Sequence, residues 1–317
     1  MRQMQGKKSS SHYNRQDAVF KYLLISASLL VVGLFAALFL MLIRGSLPSI
    51  LGNGLGFLTG TTWDPINGIY GALPAILTTI VTSLLAVGIA IPVALGIAIF
   101  FTEYAPVKAK FPLTVFIDLL AAIPSVIFGI WGLWIIAPLI KTYVQQPLVT
   151  SIGFIPIFGG PAYGISLSLA SLILAIMVIP IIASLAIELL SRTPITLKEG
   201  MISLGATKWE SVMRVGLPFA RMGVIAAVML GLGRALGETM AITMVIGNSY
   251  MWPFANPSIF APATSITSKI ASEFYEATSA IYAGSLIELA LTLLIITLAT
   301  NVAFRYIINK TNKEAKR

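Results

Sequence analysis

The sequence predicts an all-α membrane protein with six transmembrane helices and cytoplasmic N and C termini. Three observations predict it. Of the 317 residues, 57% are hydrophobic and 10% charged, against ~45–50% and ~25% in soluble domains. Stretches free of Asp, Glu, Lys and Arg recur at the ~20-residue length that crosses a bilayer. Lys and Arg then fall overwhelmingly on one side of those stretches. A mean hydropathy of +0.91 excludes an ordinary soluble enzyme, a disordered tail and a nucleic-acid-binding domain, and places the chain in lipid.

The elements follow in order. Residues 1–21 form a basic tail, and 22–44 a hydrophobic anchor helix. The anchor is too long for a signal-peptide core, and no small-x-small cleavage site follows it. Residues 45–74 form an outer loop. The second span lies near Ala75–Thr102 and the third between Asp118 and Lys141. Beyond Lys141, Pro147, Pro156 and Pro161 predict a loop, and the fourth span begins near Gly164 and ends near Ile187. The fifth, near Met222–Gly247, is interrupted by Arg234 and Glu238. The sixth, near Ile281–Phe304, contains Glu288. The main transmembrane domain thus occupies 75–305, and 306–317 is a second basic tail.

Charge placement sets the orientation. The two tails, Arg305 at the inner end of span 6 and the loops after spans 2 and 4 carry 17 of the 21 Lys and Arg, the opposite side carries Arg44, Lys141 and Lys269, and Arg234 lies within a span. Topology therefore accounts for the net charge of +9 without a nucleic-acid partner. The chain has no cysteine, and its one histidine, His12, lies in the N-terminal tail. No cofactor or metal site is expected.

The loop between spans 4 and 5, residues 193–218, reads TPITLKEGMISLGATKWESVMRVGLP. Two capping boxes are predicted, Thr196 with Glu199 and Thr207 with Glu210. Gly205 sits between them, where a left-handed C-cap belongs. The second helix aligns Trp209, Val212, Met213 and Gly216 on one face, and Pro218 ends it. The stripe fits either a helix lying on the membrane or a docking element whose anchor, Trp209, fills a partner's pocket.

In span 5, Arg234 lies ~18 Å along the helix from Met222, near mid-membrane. An isolated Arg there costs ~2.5–3.5 kcal/mol, so it faces a partner or a watery path. Glu238, four residues on, is expected on the same face. Gly233, Gly237 and Ala241 are expected to form a close-packing stripe beside the pair. The bland reading is a structural ion pair. The sharper one is a path for a tetrahedral anion, since Arg presents a permanent fork of donors. Glu238 is then a possible filter, accepting a hydrogen bond from protonated phosphate and repelling sulfate.

The loop resembles the EAA loop of ABC-importer permeases. Glu199, Gly205, Leu217 and Pro218 hold the pattern's spacing, while Gly200 and Met201 replace its two alanines. GLGRALGETMAITMVIGN in span 5, with residues 70–106 and 119–134, is similar to phosphate-specific ABC permeases of the PstC type. The resemblance implies the MetI-like permease fold over residues 75–305. It implies that 193–218 is the coupling loop, gripped through Glu199, Gly205, Trp209, Leu217 and Pro218. It also implies partners: a second permease of the PstA type, two ATP-binding subunits of the PstB type and an extracytoplasmic phosphate-binding protein of the PstS type, with inorganic phosphate as cargo and the bacterial plasma membrane as location. The chain lacks Gly-x-x-x-x-Gly-Lys-Ser/Thr, so ATP hydrolysis falls to the partner.

Four residues are candidates for the substrate path: Arg234, Glu238, Glu288 and Ser125, the last following the helix-opening Pro124. Asp118 reads as an N-terminal dipole partner for span 3, and Glu188 as a partner for Arg192. The alternatives are an ion-gradient-driven carrier using Glu238 and Glu288 as ion sites, or an ABC permease for sulfate or molybdate.

Overall fold

The computed structural model describes residues 6–250 and 252–314. Arg2, Lys316 and Arg317 of the basic tails lie outside the described residues, as does the side chain of His12. Six helical stretches are long and apolar enough to cross a membrane: 17–53, 73–104, 125–152, 167–191, 208–237 and 280–306.

Helix α1 (Gly6–Asn53) begins within the basic tail and runs past Pro48. The expected outer loop at 45–74 therefore starts nine residues late. Ser46 and Ser49 look like loop residues but are buried against α14 (Ala280–Glu314). Ser49 and Ser285 share a hydrogen bond of 2.9 Å, which Asn53 Nδ2 joins at 3.0 Å. Gly284 lets the helices meet, since a Cβ there would lie 3.2 Å from the Ser49 backbone nitrogen. The apolar middle of α1 is exposed, as a lipid-facing helix should be.

A short helix, α2 (Gly56–Thr59), and a hairpin of β1 (Trp63–Asp64) and β2 (Ile69–Tyr70) complete this segment. Asp64 Oδ1 accepts from the backbone N–H groups of Ile66 and Asn67 at 3.1 and 3.2 Å, and Gly68 supplies the positive φ the turn needs. Hydrogen bonding, chiefly from the Asn67 side chain, holds the Asp64 carboxyl below its ordinary value.

Helix α3 (Leu73–Ile99) packs along α8 (Leu167–Ser191), the most buried of the six spans. Ser166 caps α8 by accepting from the Leu169 N–H at 3.3 Å. Between them, α4 (Val107–Ala122) breaks at Pro124, and α5 (Ser125–Trp131), α6 (Ala137–Ile140) and α7 (Gln146–Ile152) follow as one stacked run. Two expectations change here. Asp118 stands exposed in the C-terminal half of α4, not at a helix N-terminus. The third span continues through Lys141 to Ile152, where a loop was expected, because the helix absorbs Pro147 by widening over Lys141–Gln145 just before it.

Wide turns closed by i→i−5 bonds interrupt the helices at Phe100–Tyr104, Gly132–Ile136, Lys141–Gln145 and Val212–Gly216. Each ends two residues before a proline: Pro106, Pro138, Pro147 and Pro218. The ring removes a donor and crowds the carbonyl four residues back, and the helix widens around the gap.

After α8, α9 (Ile195–Ser203) and α10 (Lys208–Ser211) project as a helical loop. Through the wide turn, α10 runs into α11 (Leu217–Gly237), so Pro218 does not end the helix. The chain extends at Glu238 and resumes as α12 (Met240–Val245). Helix α13 (Ile266–Glu273) precedes α14. Lys269 on α13 is buried, with its Nζ 2.5 Å from Glu273 Oε1 and over the rings of Trp63 and Tyr250 at 5.1 and 4.8 Å. Glu273 Oε2 also accepts from Trp63 Nε1 and Tyr282 Oη, each at 2.8 Å. Burial pushes the Lys269 ammonium down from its ordinary value, and Glu273 offsets part of that shift.

Candidate functional site

Two features of span 5 set up the site, and both depend on where α11 ends. The expected continuous helix through Glu238 is absent. Glu238 is the C-cap with extended ψ of 129°, so Arg234 lies in the last turn of α11. The pair nonetheless meets: an Arg234 guanidinium nitrogen is 3.4 Å from Glu238 Oε2. The two partners are unequally placed, with Glu238 6% exposed and the Arg234 side chain 50%. The other Glu238 oxygen accepts from the Ala241 N–H at 3.5 Å, in the first turn of α12. The Glu238 backbone carbonyl accepts from Thr267 Oγ1 at 2.8 Å. The carboxylate is therefore occupied by its own chain, holding Arg234 on one side and the α12 N-terminus on the other.

Of the expected close-packing stripe only Ala241 is packed, buried against Gly129 of α5, and the seam of α11 itself lies elsewhere. Added Cβ atoms at Gly233 and Gly237 would meet nothing within 4 Å, whereas one at Gly231 would lie 2.7 Å from Val178 Cγ1, and one at Gly223 2.5 Å from the Leu189 side chain. With buried Ala227 between them, Gly223 and Gly231 form the four-residue seam onto α8. Two residues turn a helix by ~200°, so the Gly233 face points the opposite way.

That opposite face lines a groove of about 600 Å³. Its walls include Met229, Leu230, Gly233 and Arg234 of α11, and Asn301 and Arg305 of α14. Arg305 had been counted only as a charge at the inner end, and Asn301 not at all. Their i,i+4 spacing was the signal that one helix face carries both. Glu238, Glu288 and Ser125 do not line this groove. Glu288 is buried on α14 one turn beyond Ser285, and its Oε2 has no hydrogen-bond partner among the described residues. Ser125 is half-buried as the first residue of α5, after the break at Pro124.

The projecting loop divides its residues in a similar way. The Thr207–Glu210 capping box forms with both reciprocal bonds, at 3.2 and 2.8 Å. The Thr196–Glu199 box does not. Pro194 takes the N-cap position, which puts Thr196 inside the helix and leaves Glu199 exposed. Gly205 has φ of 90°, as a left-handed C-cap requires. The predicted Trp209 face splits at the wide turn. Val212 and Gly216 are buried in the bundle, while Trp209, Met213 and Leu217 line a groove of about 410 Å³ against α3. Pro218 is exposed at the start of α11. The free apolar surface of the loop spans α9 and its C-cap, with Ile195, Leu197, Ile202 and Leu204 exposed, together with Trp209 and Met213, which are 51% and 42% exposed. Lys198 on this helix pairs with Glu103, whose side chain is 17% exposed, on the wide turn ending α3.

A bundle of six spans with a fifth span broken beside a charged pair, and a capped helical loop between spans 4 and 5, defines a polytopic membrane protein. No family model matches the chain. Its fold is similar to the MetNI methionine ABC transporter in an inward-facing form, with a TM-score of 0.57 at 17% identity, covering 78% of this chain and 99% of that one. The phosphate transport system permease protein PstC of Haemophilus influenzae is 45% identical over 309 residues, 96% of this chain and 97% of the relative. The PstC protein of Mesorhizobium japonicum is 42% identical over 296 residues, 92% and 90% of the two chains. The chain belongs to the PstC family of phosphate transport permeases.

Proposed function

We propose that this chain forms one half of the phosphate path of an ATP-driven importer, with Arg234 as the residue that meets the anion. One observation carries the reading: a guanidinium that stays charged at every relevant pH is held half-exposed in a groove by a buried carboxylate. The fork retains free donors for tetrahedral oxyanions, and the groove provides the room. Glu238 is read as the residue that orients Arg234. Its carboxylate is buried and does not line the groove, so it is not read as the phosphate-over-sulfate filter that its position in the sequence suggests.

A second permease of the PstA type closes the open side of the groove, and a PstS-type protein delivers phosphate to the outer face. Two PstB-type ATPases dock from the cytoplasm, one of them on the apolar surface of α9. The Lys198–Glu103 pair and the continuous helix from Lys208 to Gly237 carry the loop's motion to α3 and to Arg234. In this orientation both termini and the loop at 193–218 are cytoplasmic, in the bacterial plasma membrane. The chain makes and breaks no covalent bond. ATP-driven uptake of labelled phosphate by membrane vesicles holding the assembled complex tests the reading. Uptake that persists without ATP and collapses with the ion gradient would replace it with a secondary carrier.

A further inference from the structure

We propose that Arg305, with Asn301 one turn before it on α14, is a second oxyanion-binding station at the cytoplasmic mouth of the groove that Arg234 opens. The proposal rests on the reading of Arg234 given above and extends it to a second position. Both residues of α14 line the same groove of about 600 Å³ as Arg234. Their four-residue spacing places them on one helix face, ~6 Å apart along its axis. No Asp or Glu lines the groove. Among the described residues no carboxylate lies within salt-bridge distance of Arg305, whereas Arg234 shares its charge with Glu238. A guanidinium fork beside an amide donor suits phosphate-type oxygens.

The chemistry of passage asks for such a station. Met229 and Leu230 form an apolar wall of the groove. An anion leaving Arg234 along that wall loses its partner in a poorly solvating channel, and a second positive group lowers the barrier to leaving. Conduction works through sites that bind well enough to admit an ion and weakly enough to release it. Helix α14 runs toward the same end of the bundle as the projecting loop, so Arg305 stands at the release end.

The headgroup of an anionic lipid, which carries the same oxygens with a net negative charge, is the other source, and the experiment separates the two. ATP-driven phosphate uptake is measured in proteoliposomes holding the complete complex, for wild type, Arg305→Gln, Arg305→Lys and Asn301→Ala. Each is reconstituted once with anionic lipid and once in phosphatidylcholine alone. Subunit assembly is checked by co-purification. The station predicts that Arg305→Gln lowers the maximal rate by about tenfold, the loss expected for one charge-assisted hydrogen bond. The KM for external phosphate stays near wild type, Arg305→Lys keeps more of the rate, and the same ratios hold in neutral lipid. Wild-type rates in Arg305→Gln, or a defect that vanishes in neutral lipid, would overturn it. Arg234→Gln is run in parallel: full uptake in that variant refutes the reading of Arg234, while a dead Arg234→Gln beside a normal Arg305→Gln refutes only the second station.

Discussion

Substituting alanine for Gly231 and for Gly233, one at a time, separates the two faces of α11 with the least change in chemistry. Both residues lie inside the same helix, so both substitutions carry the same intrinsic helix gain of ~1 kcal/mol, which cancels in the comparison. What remains is packing. A Cβ at Gly231 would stand 2.7 Å from Val178 Cγ1 and 2.9 Å from Ile182 Cγ1 and Cδ1. Val178 and Ile182 are fully buried, and β-branched side chains in a helix have essentially one χ1 rotamer. Neither can yield without moving α8, and overpacking of this kind costs ~1–3 kcal/mol. A Cβ at Gly233 meets nothing within 4 Å. Gly231→Ala should therefore be less stable than Gly233→Ala by about 2 kcal/mol. In a thermal-denaturation assay of the detergent-solubilised complex that is a difference of about 4 °C. Equal melting temperatures, or a lower one for Gly233→Ala, would refute the assignment of the Gly231 face to α8 and of the Gly233 face to the groove.

Other outcomes follow from the same geometry. Glu103→Lys and Lys198→Glu should each lower phosphate uptake per ATP hydrolysed, and the double swap should recover most of the loss; a double variant worse than either single one would show that the pair transmits nothing. Lys269→Met leaves the partly buried Glu273 carboxylate with only its Trp63 and Tyr282 donors and should lower stability by about 2 kcal/mol, read as a fall in melting temperature. Pairing it with Glu273→Leu should restore much of that, and no restoration would deny that the two act as a pair. Thr207→Ala removes one arm of the capping box and should cost about 1 kcal/mol, measurable as earlier proteolysis within 193–218. Leu204→Asp should release the ATPase subunit on co-purification while leaving the permease folded, and full retention would move the docking surface off α9.

The six spans were legible because a bilayer demands length and apolarity, and both are written in one dimension. The Thr207–Glu210 capping box and Gly205 were legible because they are local devices. What escaped depends on partners distant in the chain. Ser46, Ser49 and Asn53 look like loop residues until Ser285 is seen opposite them. The end of α11 at Gly237 is hidden because the apolar run continues through α12, and only Glu238 bonding to Arg234, Ala241 and Thr267 marks the break. Displacing the close-packing stripe by two residues turned it to the wrong side of the helix. The helical stretch after Lys141 was hidden by prolines that read as breakers, although the helix widens just before Pro147 and runs on. The wide turns carry a local signature, a proline two residues beyond each. Arg305 could be counted as a charge from sequence, but its place in the groove depends on how α14 crosses α11.

The central claim is that Arg234 meets the anion. Uptake of labelled phosphate by vesicles holding the whole complex, with ATP supplied and with sulfate as competitor, measures it directly in wild type and Arg234→Gln. The account predicts ATP-dependent phosphate uptake and its loss in Arg234→Gln while the subunits still assemble, with sulfate competition reading how far the groove itself tells the two oxyanions apart. Full ATP-driven uptake in Arg234→Gln would contradict it and return the Arg234–Glu238 pair to a purely structural role.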